Sequence, residues 1–121
     1  MPVTVATAFA DSTTIPVVST AAEVMTIEVM ANPSSAAAAG AFVQVFDSLA
    51  ATLGTDAPMI VTPIRPFNAQ GAQTMQKATF HQGVRCTTGI NIFVTSSAVA
   101  NTTAAAGTNA PQQVRVFWLP A

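Results

Sequence analysis

Ile90-Asn91-Ile92-Phe93-Val94-Thr95 decides the fold class. β-Branched and aromatic side chains fill it, and Ile90, Ile92 and Val94 alternate with Asn91, Phe93 and Thr95, the period of a β-strand. Val114-Arg115-Val116-Phe117-Trp118-Leu119 reads the same way, with Val114, Val116 and Trp118 opposite Arg115, Phe117 and Leu119. In Val24-Met25-Thr26-Ile27-Glu28-Val29-Met30, strict alternation groups Val24, Thr26, Glu28 and Met30 against Met25, Ile27 and Val29. Such runs recur between Pro, Gly, Ser and Asn clusters and predict strands over 3–9, 14–19, 24–30, 42–46, 59–64, 74–85, 89–96 and 113–119. Eight short strands in 121 residues imply one all-β domain, a β-sandwich or jelly-roll-like fold. Pro63 and Pro66 each remove a backbone donor, which places 59–67 at a sheet edge.

One segment admits a second reading. Ser34-Ser35 can cap a helix that Gly54 ends, with Phe42, Val45, Phe46, Leu49 and Leu53 along one stripe. The residue types of Phe42-Val43-Gln44-Val45-Phe46 favour a strand. The expectation is therefore a strand there, followed over 47–53 by a turn or one short helix.

Half of the chain is hydrophobic, yet only 7% is charged, against about 25% in an ordinary soluble domain. A monomer of this size exposes on the order of 6,000 Å². Nine formal charges over that area is roughly a third of the usual density. Small polar residues account for part of the deficit. Cover by neighbouring chains accounts for the rest, because interface cores are depleted in Lys, Glu and Asp. The net charge of −1 gives no reason to expect nucleic acid or an anionic membrane as partner. No apolar run approaches the roughly 20 residues of a transmembrane helix. No signal-peptide pattern opens the chain, so the product is expected in the cytoplasm until assembly.

All five carboxylates (Asp11, Glu23, Glu28, Asp47, Asp56) precede all four cations (Arg65, Lys77, Arg85, Arg115). If the two halves occupy different ends of the fold, the subunit carries a dipole suited to head-to-tail contacts. Asp11, Glu23, Arg65, Arg85 and Arg115 are the candidate contact charges of that arrangement. Phe117 and Trp118 are candidate interface anchors. The plainer alternative puts Trp118 in the core and leaves Phe117 half exposed, since adjacent strand residues face both ways.

Catalytic chemistry has little to work with. His81 is the only histidine and Cys86 the only cysteine; on a continuous strand they face opposite sides, about 16 Å apart. Two potential ligands do not make a zinc site, which needs three or four. Glu23 and Glu28, an odd number apart, fall on opposite faces of a regular strand. No phosphate-cradling glycine pattern is present, and the chain has no tyrosine for a nucleic-acid stacking surface. The expectation is a non-enzymatic protein without catalytic, cofactor or metal site.

Phe42-Val43-Gln44-Val45-Phe46-Asp47, Leu53-Gly54-Thr55-Asp56-Ala57-Pro58 running into Met59-Ile60-Val61-Thr62-Pro63, and Thr87-Thr88-Gly89-Ile90 carry a resemblance. Together they resemble stretches of small virion structural proteins of tailed bacteriophages, over roughly residues 41–119. The resemblance implies a β-sandwich core over 41–121. It also implies a capsid cement or decoration subunit, a homotrimer seated over junctions of the major capsid protein. Residues 1–40, which it does not cover, are then expected to supply the first strands and an arm reaching a neighbour. A neck, tail or fibre component is the close alternative. A receptor- or carbohydrate-binding tip domain is the third, weakened by the lack of tyrosine and the single tryptophan.

Overall fold

The computed structural model describes residues 1–7, 9, 14–30, 41–64, 75–96, 111 and 113–121. They form eight strands: β1 (Val3–Ala6), β2 (Ile15–Val18), β3 (Ala22–Met30), β4 (Ala41–Asp47), β5 (Ile60–Ile64), β6 (Met75–Cys86), β7 (Ile90–Thr95) and β8 (Gln113–Pro120). The pairs nest: β4 with β5, β3 with β6, β2 with β7 and β1 with β8, all antiparallel. Further pairs, β3 with β8 and β4 with β7, complete two four-stranded sheets of order β1-β8-β3-β6 and β2-β7-β4-β5. Nested antiparallel pairs divided between two sheets are the wind of a jelly-roll β-sandwich. β5, with Pro63, and β2, with Pro16, are both edge strands, where a missing donor leaves no ladder bond unmade.

The core lies between the sheets. Val24, Ile27, Val29, Val114 and Val116 from the first meet Val43, Val45, Ile90, Ile92 and Val94 from the second, all essentially inaccessible. β-Branched residues suit both the strand backbone and this packing, because their stiff side chains lose little freedom on burial. Trp118 packs against the same cluster, and its Nε1 donates to Thr4 Oγ1 at 3.2 Å. The Thr4 hydroxyl in turn donates to the carbonyl of Val17 at 3.2 Å. That relay ties β8 and β1 to β2 of the opposite sheet.

Strict alternation fails in β3. Val24 pairs with Trp118 and Thr26 pairs with Phe117, leaving Met25 as an extra residue in a bulge. The face of each later residue therefore flips. Val24 joins Ile27 and Val29 in the core, and Glu23, Thr26, Glu28 and Met30 point outward together. On the other side of β3, the partner strand β6 accommodates the same point with residues 80–83 between its pairs to Val24 and Thr26. Gly83 adopts a left-handed φ of 74° here, and a Cβ on it would stand 2.9 Å from Met25 Sδ.

The segment after β4 is not helical. Ser48 to Ala50 bend over the second sheet, and a turn at 52–56 is closed by the amide of Asp56 on Thr52 O at 2.9 Å. The Asp56 carboxylate accepts from the amide of Thr52 at 2.7 Å. A buried asparagine draws the chain into this course. Asn91 Oδ1 accepts from the amide of Ala51 and the hydroxyl of Thr14, while Nδ2 donates to Ser48 O and Leu49 O. The helix cap at Ser34-Ser35 lies outside the described residues.

Asp47, at the end of β4, organises the β6–β7 turn. Its carboxylate accepts the amides of Thr87 (2.9 Å), Thr88 (2.8 Å) and Gly89 (3.4 Å) and the Thr87 hydroxyl (3.1 Å). Partial burial acts to raise its pKa, but these four donors outweigh it and hold the carboxyl below its ordinary value of 3.8. Gly89 is needed because a Cβ there would lie 2.8 Å from Val18 O.

Two outcomes follow from these contacts. Gly83→Ala puts a side chain on a left-handed backbone against Met25, and should lower stability by about 1–3 kcal/mol in urea melts. Because the folded pKa of Asp47 is depressed, its contribution is fully present above the unfolded pKa and is lost as pH falls through the folded value. Asp47→Asn should cost about 2 kcal/mol at neutral pH. It should also shrink the acid-induced loss of stability measured below about pH 4.

Candidate interaction face

The two sheets differ in what covers them. On the outer side of the second sheet the central residues Gln44, Phe46, Asn91, Phe93 and Thr95 expose at most 2%, whereas Phe42 is half-buried and the edge residues Pro16, Val61 and Pro63 are exposed. The first sheet buries only its inner face. The register arranges its outer side chains in four rows across the strands: Leu119–Glu23–Arg85, Val3–Phe117–Thr26–Thr79, Val5–Arg115–Glu28–Lys77 and Gln113–Met30–Met75. Val3, Val5 and Met75 are nearly half exposed, and Phe117, Leu119 and Met30 are partly so. Neighbouring strands lie about 4.8 Å apart and successive rows about 6.8 Å, so the face spans roughly 500 Å².

Of the candidate contact residues, Glu23, Arg85, Arg115 and Phe117 come together on this face. Trp118 does not, since it turns into the core. Asp11 and Arg65 lie outside the described residues. Among the described residues the expected separation of carboxylates from cations does not occur: antiparallel pairing sets Glu23 opposite Arg85 and Glu28 opposite both Lys77 and Arg115. Glu23 and Glu28 also share one face, because the Met25 bulge inverts the alternation between them.

The ionic row is loosely made. Glu28 carboxylate oxygens stand 3.9 Å from Lys77 Nζ and 3.8 Å from an Arg115 terminal nitrogen, beyond hydrogen-bond length. Arg115 Nε instead donates to Gln113 Oε1 at 2.7 Å. Five of the chain's nine formal charges stand on this one face of a molecule exposing 6148 Å². The other two described charges, Asp47 and Asp56, act as turn caps.

No protein-family model matches the chain, and no curated protein or solved structure matches it. The resemblance motifs themselves find a structural role. Asp47, which ends the first, binds Thr87, Thr88 and Gly89 of the last, so the two signatures meet in one turn.

The remaining chemistry-bearing groups stay apart. His81 is exposed in the irregular part of β6, whereas Cys86 is fully buried with Sγ 4.0 Å from Met59 Sδ. Among the described residues no three His, Cys, Asp or Glu side chains are grouped to hold a metal ion. No helix there is long and apolar enough to cross a membrane. A cleft of about 430 Å³ opens between the β5 and β6 edges, floored by Ile27 and Val29. Burial, and secondarily the charge of Asp47, pushes the Cys86 thiol up to about 11. Thiolate is the reactive form. At pH 8, iodoacetamide should therefore label native Cys86 at least about 100-fold more slowly than the urea-unfolded chain, as read by mass spectrometry.

Proposed function

We propose that this chain is a virion structural subunit of a tailed bacteriophage, a capsid cement or decoration protein acting through subunit contacts. The observation that carries the reading is the outer face of the first sheet, where apolar side chains and most of the sparse charge are collected and left uncovered. Exposed apolar side chains rimmed by polar ones mark interaction sites when they are collected on one face. The jelly roll agrees with it, being a wind used by viral capsid, lectin and cupin domains, although a fold alone does not fix a function. The partners in this reading are other copies of the chain, a trimer by the phage resemblance, and the major capsid protein, with the virion as destination. Placement in a neck, tail or fibre is the nearest alternative. A sugar-binding tip gains no support from Trp118, whose ring packs in the core instead of forming a platform.

The purified protein should run as an oligomer, co-sediment with expanded phage heads and raise the temperature at which those heads rupture. A protein that stays monomeric and ignores the heads overturns the proposal. A particle reconstruction with copies on the tail assigns it to the alternative.

A further inference from the structure

The outer face of the first sheet has a charge pattern that complements itself. Along its central ionic row the order is Val5, Arg115, Glu28, Lys77, apolar then positive, negative, positive. A twofold axis parallel to the strands and midway between β8 and β3 lays each copy's β8 over the partner's β3. Arg115 then meets a second copy's Glu28, and Glu28 a second copy's Arg115. The same operation sets Phe117 over Thr26 and Val5 over Lys77.

We infer that two copies of this chain pack face to face through the first sheet, about a twofold axis between β8 and β3. The inference rests on reading the chain as an assembly subunit, and it gives one of that subunit's contacts a twofold form, where the phage resemblance implies a threefold one.

Three observations converge on a second copy as occupant. Charge complementarity is the first: opposite charges align, whereas a direct overlay of β8 on β8 stacks Arg115 on Arg115. The intrachain separations of 3.8 and 3.9 Å are the second, because they leave the Glu28 and Arg115 groups able to bond across an interface. The third is area. About 500 Å² from each copy gives roughly 1,000 Å² in total, the threshold for a specific interface. Exposed Val3, Val5 and Met75 supply apolar area around the ionic centre. An isologous contact of this kind is the commonest symmetry of soluble oligomers.

Val5 provides the test. It lies on an edge strand, nearly half exposed, and three strands from its own Lys77. That is roughly 14 Å, beyond the Debye length of about 8 Å at physiological salt. In the twofold pair it faces the other copy's Lys77. Any repulsion between a new charge at position 5 and the same copy's Arg115 is present before and after association, so it cancels from the dimer constant. Sedimentation equilibrium on the full chain should show a dimer. Val5→Lys should weaken it about tenfold at low salt through two symmetric like-charge contacts, while Val5→Glu should leave it as tight or tighter. Raising the salt to about 0.5 M should remove most of the difference. Urea melts of both variants confirm that each remains folded.

A wild-type monomer or trimer overturns the twofold face, as does a dimer equally sensitive to Val5→Lys and Val5→Glu. Head binding is scored separately. Heads bound by a chain that does not dimerise remove this inference and leave the virion reading standing. A Val5-sensitive dimer that ignores heads supports the inference and removes the capsid-decoration reading.

Discussion

The apolar residues of β3 change phase half-way along the strand, and the Met25 bulge is how it stays in register with the uninterrupted β8. Side chains on a strand alternate, so without the extra residue either Ala22 and Val24 or Ile27 and Val29 would face water. The bulge puts all four inside. It also brings Glu23 onto the side already holding Thr26 and Glu28, which creates the outer rows. Core and candidate face are thus fixed by one local event. β6 adjusts through residues 80–83 and the left-handed Gly83, whose missing Cβ leaves room for the Met25 sulfur.

The nested pairing explains why the ends of the chain are so firmly held. β1 and β8 begin and end the sandwich yet pair with each other, and the amide of Trp118 donates to Pro2 O at 3.1 Å. Contacts of this separation close the longest loops, with the largest entropy loss and the slowest formation. They persist because Trp118, Thr4 and Val17 also join the two sheets at that edge. Among the described residues no charge lies between the sheets to specify the match. Specificity comes instead from shape among Val and Ile side chains and from the polar relay of Trp118, Thr4 and Val17 that crosses from one sheet to the other.

Much of the fold was legible in the sequence, for reasons visible in particular residues. Ile90 to Thr95 and Val114 to Leu119 alternate cleanly, and their inner and outer faces are as the pattern requires. Pro63 marked an edge because a proline cannot donate within a ladder. The bulge was not legible, since Met25 is an ordinary strand residue and only the register with β8 exposes the slip. After Asp47 the residue types left turn and helix both open, because the choice depends on Asn91 some 40 positions away. The candidate face was legible by member but not by arrangement. Glu23, Arg85, Arg115 and Phe117 could be named one by one, while the order of charges along the chain pointed to separation. Antiparallel pairing reversed that, because it sets early residues beside late ones.

This reversal bears on what a low-charge surface can do. A protein with the usual charge density meets partners through whichever part of its surface fits, and its remaining charges keep it in solution. Here the described charges have two employments, turn caps at Asp47 and Asp56 and the rows of the first sheet. The outer side of the second sheet is buried at its centre and carries no described charge on its strands other than Asp47. Long-range attraction, orientation and salt dependence of any encounter must therefore originate on the first sheet among the described residues. Since three cations and two carboxylates alternate there instead of clustering by sign, the field of the face falls off quickly and favours a partner with the inverse pattern at close range. Another copy of the same face, turned about the β3–β8 boundary, has that inverse pattern.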